Sequence, residues 1–163
     1  MTEVAARIKM NSPVGMLAIS ATENGVCSVD FIAENGALDF ADSDQAYSIA
    51  KQAVSQLQQY FAGELTKFSL PLDLQGTDFQ RAVWAEIANT DFGVTQSYGE
   101  IANKIGKPAA ARAVGGAVGA NPVPIIVGCH RIMGSTGKLT GYSGGAGLRT
   151  KIKLLELEGI TYR

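Results

Sequence analysis

Apolar residues recur along this chain first with the period of a strand and then with the period of a helix, and the change marks its elements. Met16-Leu17-Ala18-Ile19 reads as a strand, Glu23-Asn24-Gly25 as a hairpin turn, and Val26 to Phe31 as the returning strand. Cys27, Val29 and Phe31 alternate with Ser28 and Asp30, which predicts that Cys27 is a small buried hydrophobe on the core face. Over residues 44–62, Ala46, Ala50, Ala53, Val54, Leu57 and Phe61 fall at helical spacing, and Gly63 marks the stop. The first part of the chain thus reads as a small sheet with a helix laid on it, and none of it looks chemical.

Pro71 and Gly76 interrupt the pattern, and a series of short helices follows. Thr77-Asp78-Phe79-Gln80 is a capping box ahead of an apolar face of Phe79, Val83, Trp84 and Ile87. Ser97-Tyr98-Gly99-Glu100 is a second capping box, opening a helix through Ile101, Ala102 and Ile105 that stops at Gly106. Pro108 fits the first position of the next helix, expected to run to about Gly119. Asn121-Pro122-Val123-Pro124 cannot continue it. The apolar run Ile125-Ile126-Val127 leads into Gly128-Cys129-His130-Arg131 and a glycine-rich loop, and Leu148, Ile152, Leu155 and Gly159 predict a last helix with its cap.

Composition bounds what these elements can form. The 163 residues suffice for one ordinary domain or two small ones, and 46% hydrophobic with 18% charged residues is globular composition. No apolar run approaches the roughly 18 residues of a membrane span. The opening MTEVAARIKM lacks the apolar stretch of a signal peptide, so a cytoplasmic protein with no membrane partner is expected. Cys27 and Cys129 suggest no disulfide framework, and with a single histidine they fall short of a zinc site, so no metal is expected. The net charge of −1 hides an asymmetry: residues 1–75 carry −5 and residues 76–163 carry +4. An acidic half joined to a basic, Gly-rich half suggests two units, the second facing a polyanion.

Two helices joined by Gly106-Lys107-Pro108 have the form of a helix-turn-helix. Base readout needs long polar side chains, and the second helix, AAARAVGGAVG over 109–119, offers only Arg112. Such a helix can press its backbone on DNA without reading sequence, which disfavours a sequence-specific repressor. Cys129 beside His130 and Arg131 has the ingredients of a lowered thiol pKa and a nucleophile. The loop Gly141-Tyr142-Ser143-Gly144-Gly145 can bring backbone N–H donors close to a ligand. A thiol so placed suggests attack on an atom of a base flipped out of the stack.

In these residues the chain resembles the O6-alkylguanine-DNA alkyltransferases. Their signature, Pro-Cys-His-Arg followed by an apolar residue, stands here as Gly128-Cys129-His130-Arg131-Ile132, and Ser97-Tyr98, Arg112-Ala113-Val114, Asn121-Pro122, the 141–145 loop and Glu158-Gly159 accompany it in the family's order. The resemblance implies an α+β fold: a small N-terminal antiparallel sheet with a helix (RNase H-like) over 1–75, then a mainly helical winged helix-turn-helix domain over 76–163. It implies that Cys129 takes a methyl or alkyl group from guanine O6, and from thymine O4, in a single irreversible turnover without a cofactor. His130, through a water, and Glu158 would deprotonate the thiol, and Tyr98 would donate a hydrogen bond to the departing base. Arg112 would fill the flipped base's place, with Asn121, Ser97 and Ala113 beside it at the DNA, Asn121 holding the turn before the cysteine. Tyr142, Ser143, Ile132 and Gly144 would wall the alkyl pocket. The implied partner is double-stranded DNA containing O6-alkylguanine, bound by a monomer.

Two departures from the family bear on this reading. Gly128 replaces the proline before the cysteine, which should loosen the nucleophile's approach, and Gly128→Pro should then stabilise the protein. Some family members bind zinc in the N-terminal half, where this chain has no histidine, so none is expected there. An alternative reading is a non-catalytic or weakly reactive binder of alkylated lesions, which Cys129 opposes. A Cys–His hydrolase is opposed by the adjacency of the sole histidine to the cysteine.

Overall fold

A computed structural model describes residues 3–36, 38–142 and 144–162. The chain divides into two compact units, Met1–Gln75 and Gly76–Arg163. No helix among the described residues is long and apolar enough to cross a membrane.

In the first unit, β1 (Ala6–Met10), β2 (Leu17–Ala21), β3 (Val26–Phe31) and β4 (Phe40–Ala41) form one antiparallel sheet of order β3-β2-β1-β4. Every residue of the inner strand β2 is buried. Helix α1 (Asp44–Phe61) covers β1 and β2 with Ala46, Ile49, Ala50, Ala53, Leu57 and Tyr60. Ser43 caps it, accepting from Ala46 N–H at 3.2 Å. Strand β1 is not among the elements read from the sequence. Its charged residues are accommodated on the sheet, Arg7 donating to Ser20 Oγ at 3.1 Å with its guanidinium 5.2 Å from the Phe40 ring centroid.

Cys27 departs from expectation. Ser20 pairs with Ser28 but Ala21 with Val26, so Cys27 is the extra residue of a bulge. The slip puts Val26 in the core and leaves Cys27 half-buried. Gly25 is required by close approach: a Cβ there would lie 2.6 Å from the Leu72 carbonyl carbon. That proximity lets Val26 N–H donate to Pro71 O (2.8 Å) and Val26 O accept in return from Asp73 N–H (2.9 Å).

The second unit contains α2 (Asp78–Ala88), β5 (Gln96–Ser97), α3 (Tyr98–Lys104), α4 (Ala111–Gly119), β6 (Ile132–Met133) and α5 (Leu148–Leu157). Capping boxes at Thr77 and Ser97 start α2 and α3 as their sequences predict. Helices α2, α3 and α4 pack together, and Trp84 Nε1 donates to Ala117 O at 2.8 Å. β5 and β6 pair in parallel, Gln96 opposite Ile132. Helix α3 ends at Gly106 (φ 78°), where Gly106 N–H donates to Asn103 O (3.1 Å) and Lys107 N–H to Ala102 O (2.9 Å). Pro108 is not the first residue of α4. It lies in a turn closed by Ala110 N–H to Lys107 O at 2.9 Å, and the helix starts at Ala111.

The last helix also differs from its reading. Leu148, whose spacing predicts the apolar face, is 45% exposed, whereas Thr150 and Lys151 are buried beside Leu154 and Leu155. The buried face of α5 is mixed: Leu155 packs with Met133 and Ile160, while Lys151 donates to Ile132 O and Thr140 Oγ1.

Candidate active site

The cysteine sits at the end of a tightly held turn. Asn121 Oδ1 accepts from Val123 N–H (3.0 Å), and its Nδ2 donates to Val127 O (2.9 Å). Within this turn Ile125 has φ 75°, a conformation that costs a β-branched residue about 1–3 kcal/mol. Gly128 follows at φ −74°, ψ 62°, an inverse γ-turn closed by Cys129 N–H to Val127 O at 2.8 Å. Cys129–Arg131 then form one 3-10 turn.

The Cys129 thiol is buried, and burial pushes its pKa up. Hydrogen bonding with Asn121 and Tyr142 and the charge of Lys151 pull the other way without prevailing. The resting group is therefore a neutral thiol, not the thiolate that His130 and Arg131 suggest from sequence.

Behind it lies a buried ionic cluster organised by Glu158, which α5 presents at its C-cap. Glu158 Oε1 accepts from Gly93 N–H (2.9 Å) and Arg131 Nε (2.8 Å). Its Oε2 accepts from Arg131 Nη2 (3.0 Å) and lies 2.6 Å from His130 Nε2. Arg131 Nη1 donates to Thr90 O at 2.6 Å. Burial opposes the Glu158 carboxylate, but hydrogen bonds from His130, Arg131 and Gly93 outweigh it and hold its pKa below the usual range.

Burial pushes the His130 pKa down, and its hydrogen bond to Glu158 does not offset this. Arg131 already neutralises Glu158, so a protonated imidazole would add an uncompensated buried charge. Neutral His130 must donate Nε2–H to the ionised Glu158, which leaves the lone pair on Nδ1. Nδ1 is buried and has no hydrogen-bond partner among the described residues.

A small pocket of about 70 Å³ opens on the thiol, lined by Tyr98, Gly115, Val118, Gly119, Cys129, Gly141 and Tyr142. Tyr98 and Tyr142 reach it as expected. Ile132 does not: it is fully buried as the first residue of β6, where its side chain serves the core. Gly144 is likewise not on the described wall, its carbonyl accepting from Gly147 N–H at 2.9 Å. Ser143 lies outside the described residues. Arg112 and Ala113 are exposed near the start of α4, with Gly116 exposed one turn later. The Ser97 hydroxyl accepts from Glu100 N–H at 3.0 Å as the α3 cap. The Asn121 amide is committed to the turn it closes rather than offered outward.

In the sequence Arg131 reads only as charge near the thiol, and neither Thr140 nor Lys151 stands in a motif. Lys151 donates to Ile132 O (2.8 Å) and Thr140 Oγ1 (3.1 Å), and Thr140 Oγ1 is 2.8 Å from the Tyr98 hydroxyl. A signal existed for Lys151: it stands at positions i, i+3, i+4 and i+7 with Leu154, Leu155 and Glu158. Among the described residues no group of three or more His, Cys, Asp or Glu side chains is placed to hold a metal.

Fold and site together define a two-unit protein whose helix-turn-helix unit carries a pocketed cysteine backed by a histidine–carboxylate pair. The chain belongs to the 6-O-methylguanine DNA methyltransferase family. Residues 78–160 match the DNA binding domain of 6-O-methylguanine DNA methyltransferase, and residues 7–74 match its ribonuclease-like domain. The chain is 60% identical over 106 residues to the methylated-DNA--protein-cysteine methyltransferase of Mycobacterium tuberculosis, an alignment covering 65% of this chain and 63% of that one. It is 46% identical over 152 residues to the protein of that name from Mycolicibacterium paratuberculosis, covering 91% of this chain and 89% of that one. The crystal structure of Mycobacterium tuberculosis OGT in complex with DNA superposes with a TM-score of 0.78 at 47% identity, covering 92% of this chain and 90% of that one.

Proposed function

We propose that this protein repairs DNA by direct reversal, moving a methyl or larger alkyl group from O6 of guanine, and from O4 of thymine, in double-stranded DNA to Sγ of Cys129. The observation that carries this reading is a buried thiol opening on a small two-tyrosine pocket next to a neutral imidazole whose Nδ1 is unpartnered.

The exposed face of α4 docks on the duplex, and its small residues let the helix backbone lie close to the groove. Arg112 fills the gap left when the damaged base swings into the pocket. As Sγ approaches the alkyl carbon, His130 Nδ1 takes the thiol proton through one water, while Glu158 stabilises the imidazolium that forms. The S–C bond forms as the O–C bond breaks, and the electron pair of that bond stays with the base. Tyr98 donates a hydrogen bond to the base as this charge develops. Delaying deprotonation until the base is bound suits a thiol whose pKa burial has raised. A thioether has no hydrolytic exit, so one protein repairs one lesion, as a monomer and without a cofactor.

Intact-protein and peptide mass spectrometry after incubation with duplex O6-methylguanine DNA tests the reading. The expected result is a single methyl group on the Cys129 peptide, lost in Cys129→Ala and retained in Cys27→Ala. Methylation at Cys27, or release of product beyond one equivalent, would overturn it.

A further inference from the structure

We propose that Thr140, held by Lys151, is a positioning residue that fixes the Tyr98 phenol as a hydrogen-bond donor into the pocket. The inference rests on the alkyl-transfer reading above and goes beyond it to how one of its groups is oriented.

The three residues form a chain of contacts. The Lys151 side chain, 1% exposed, donates to Ile132 O at 2.8 Å and to Thr140 Oγ1 at 3.1 Å. Thr140 Oγ1 in turn lies 2.8 Å from the Tyr98 hydroxyl oxygen. An ammonium offers donors only, so Lys151 occupies a lone pair of Thr140 and cannot receive its proton. Among the described residues, the Tyr98 oxygen is the one acceptor within reach of the Thr140 hydroxyl proton. The threonine proton therefore goes to the Tyr98 oxygen, and the proton of Tyr98 is left for the pocket it lines. The reverse order would turn the tyrosine proton away from the pocket and leave the threonine proton without an acceptor.

The relay carries more than direction. Burial holds the Lys151 pKa down to about 8, so the group is still mostly cationic at neutral pH. Donors aligned from an ammonium polarise one another. Negative charge developing on the departing base then meets a phenol already polarised by Lys151, with no side chain having to reorient during the reaction.

Single-turnover methyl transfer under saturating duplex O6-methylguanine DNA tests this, with DNA affinity and melting temperature measured on the same samples. Thr140→Val keeps the side-chain shape and removes the hydroxyl. It is expected to slow transfer about tenfold, the worth of one oriented hydrogen bond, at unchanged DNA affinity. Thr140→Ser should restore the rate to within about threefold. In a Tyr98→Phe background, where no phenol proton remains to be oriented, Thr140→Val should slow transfer no further. A Thr140→Val rate equal to wild type, an equal loss in the Tyr98→Phe background, or failure of serine to rescue would each overturn the relay. Absence of methyl transfer by the wild-type protein in the same assay would instead fail the alkyl-transfer reading itself, and the relay with it.

Discussion

Glu158→Gln separates what the ionic cluster does for the fold from what it does for the chemistry. Glutamine has nearly the shape of glutamate, so packing is kept and only charge and proton placement change. Each carboxylate oxygen faces two N–H donors: Gly93 and Arg131 on Oε1, His130 and Arg131 on Oε2. Whichever way the amide turns, its NH2 group meets a pair of donors, and Arg131 loses its counter-charge. Removing one partner of a buried ion pair costs about 3–5 kcal/mol. For a chain of this size that lowers the melting temperature by roughly 6–20 °C. The rate effect has a different origin. With its NH2 turned to Nε2 the amide forces the imidazole proton to Nδ1, where the base is needed; with its oxygen there the tautomer is kept but the imidazolium formed in the reaction has no counter-charge, and loss of a positioned base costs about 10²–10⁴-fold.

The assay is single-turnover methyl transfer well below the variant's melting temperature, with folding checked by circular dichroism. A folded Glu158→Gln protein that transfers within about threefold of wild type would refute the histidine–carboxylate base. The pH dependence supplies a check on the stability half. The folded Glu158 pKa lies below its unfolded value, so its contribution is present above about pH 4.3 and is lost as pH falls. The folded His130 pKa is also depressed, so the unfolded state takes up a proton first, and stability falls as pH drops below about 6.5. Wild-type protein should therefore lose stability in two stages on acidification, and Glu158→Gln should lack the lower one.

Three further outcomes are expected. Arg112→Ala should slow repair in duplex DNA but affect reaction with free O6-alkylguanine much less, since a free base needs no flipping; equal losses on both substrates would remove Arg112 from that role. Gly116→Ala should raise stability by about 0.5–1 kcal/mol, because a Cβ there meets nothing within 4 Å, while weakening DNA binding by thickening the exposed face of α4; an unchanged DNA affinity would show that this face does not dock. Gly128→Ala should melt below wild type, since its Cβ falls 3.0–3.1 Å from three atoms of the anchored Arg131 guanidinium, and Gly128→Pro should be about 0.4–1 kcal/mol more stable than Gly128→Ala because the ring restricts the unfolded chain. A proline variant no more stable than the alanine one would show that the γ-turn rejects the ring.

Hydrophobic period and helix punctuation were enough to locate most elements, because both act locally: the boxes at Thr77 and Ser97 and the stops at Gly106 and Gly159 are decided within a turn of chain. They failed where distant chain decides. Cys27 is displaced from the core by a bulge, and Gly25 is held to glycine by the passing Pro71-Leu72 backbone, neither of which is written in the strand's own alternation. Pro108 suits a helix start by rule, but an equally local turn from Lys107 to Ala110 takes it instead. At the site, Cys129, His130 and Glu158 were legible through resemblance, whereas the orientation of the imidazole was not, since it depends on Arg131 neutralising Glu158 from another element.

The same limit explains why Lys151 and Arg131 escape a reading based on burial. A hydropathy pattern ranks side chains by their cost of leaving water, and so assigns a lysine to the surface and Leu148 to the core. That cost reverses in meaning when the partners are already inside: without Lys151 and Arg131, Ile132 O and Thr140 Oγ1 would each lose a donor, and the Glu158 carboxylate both of its guanidinium hydrogen bonds. Each buried cation here completes a backbone or carboxylate acceptor that also bears on the thiol or on the tyrosine. Arg131 anchors the 3-10 turn that aims Cys129 and sets the charge state of His130, and Lys151 ties β6 to the loop that faces Tyr98. Substitutions in this cluster should therefore move stability and rate together, whereas those on the exposed face of α4 should move DNA binding and stability in opposite directions.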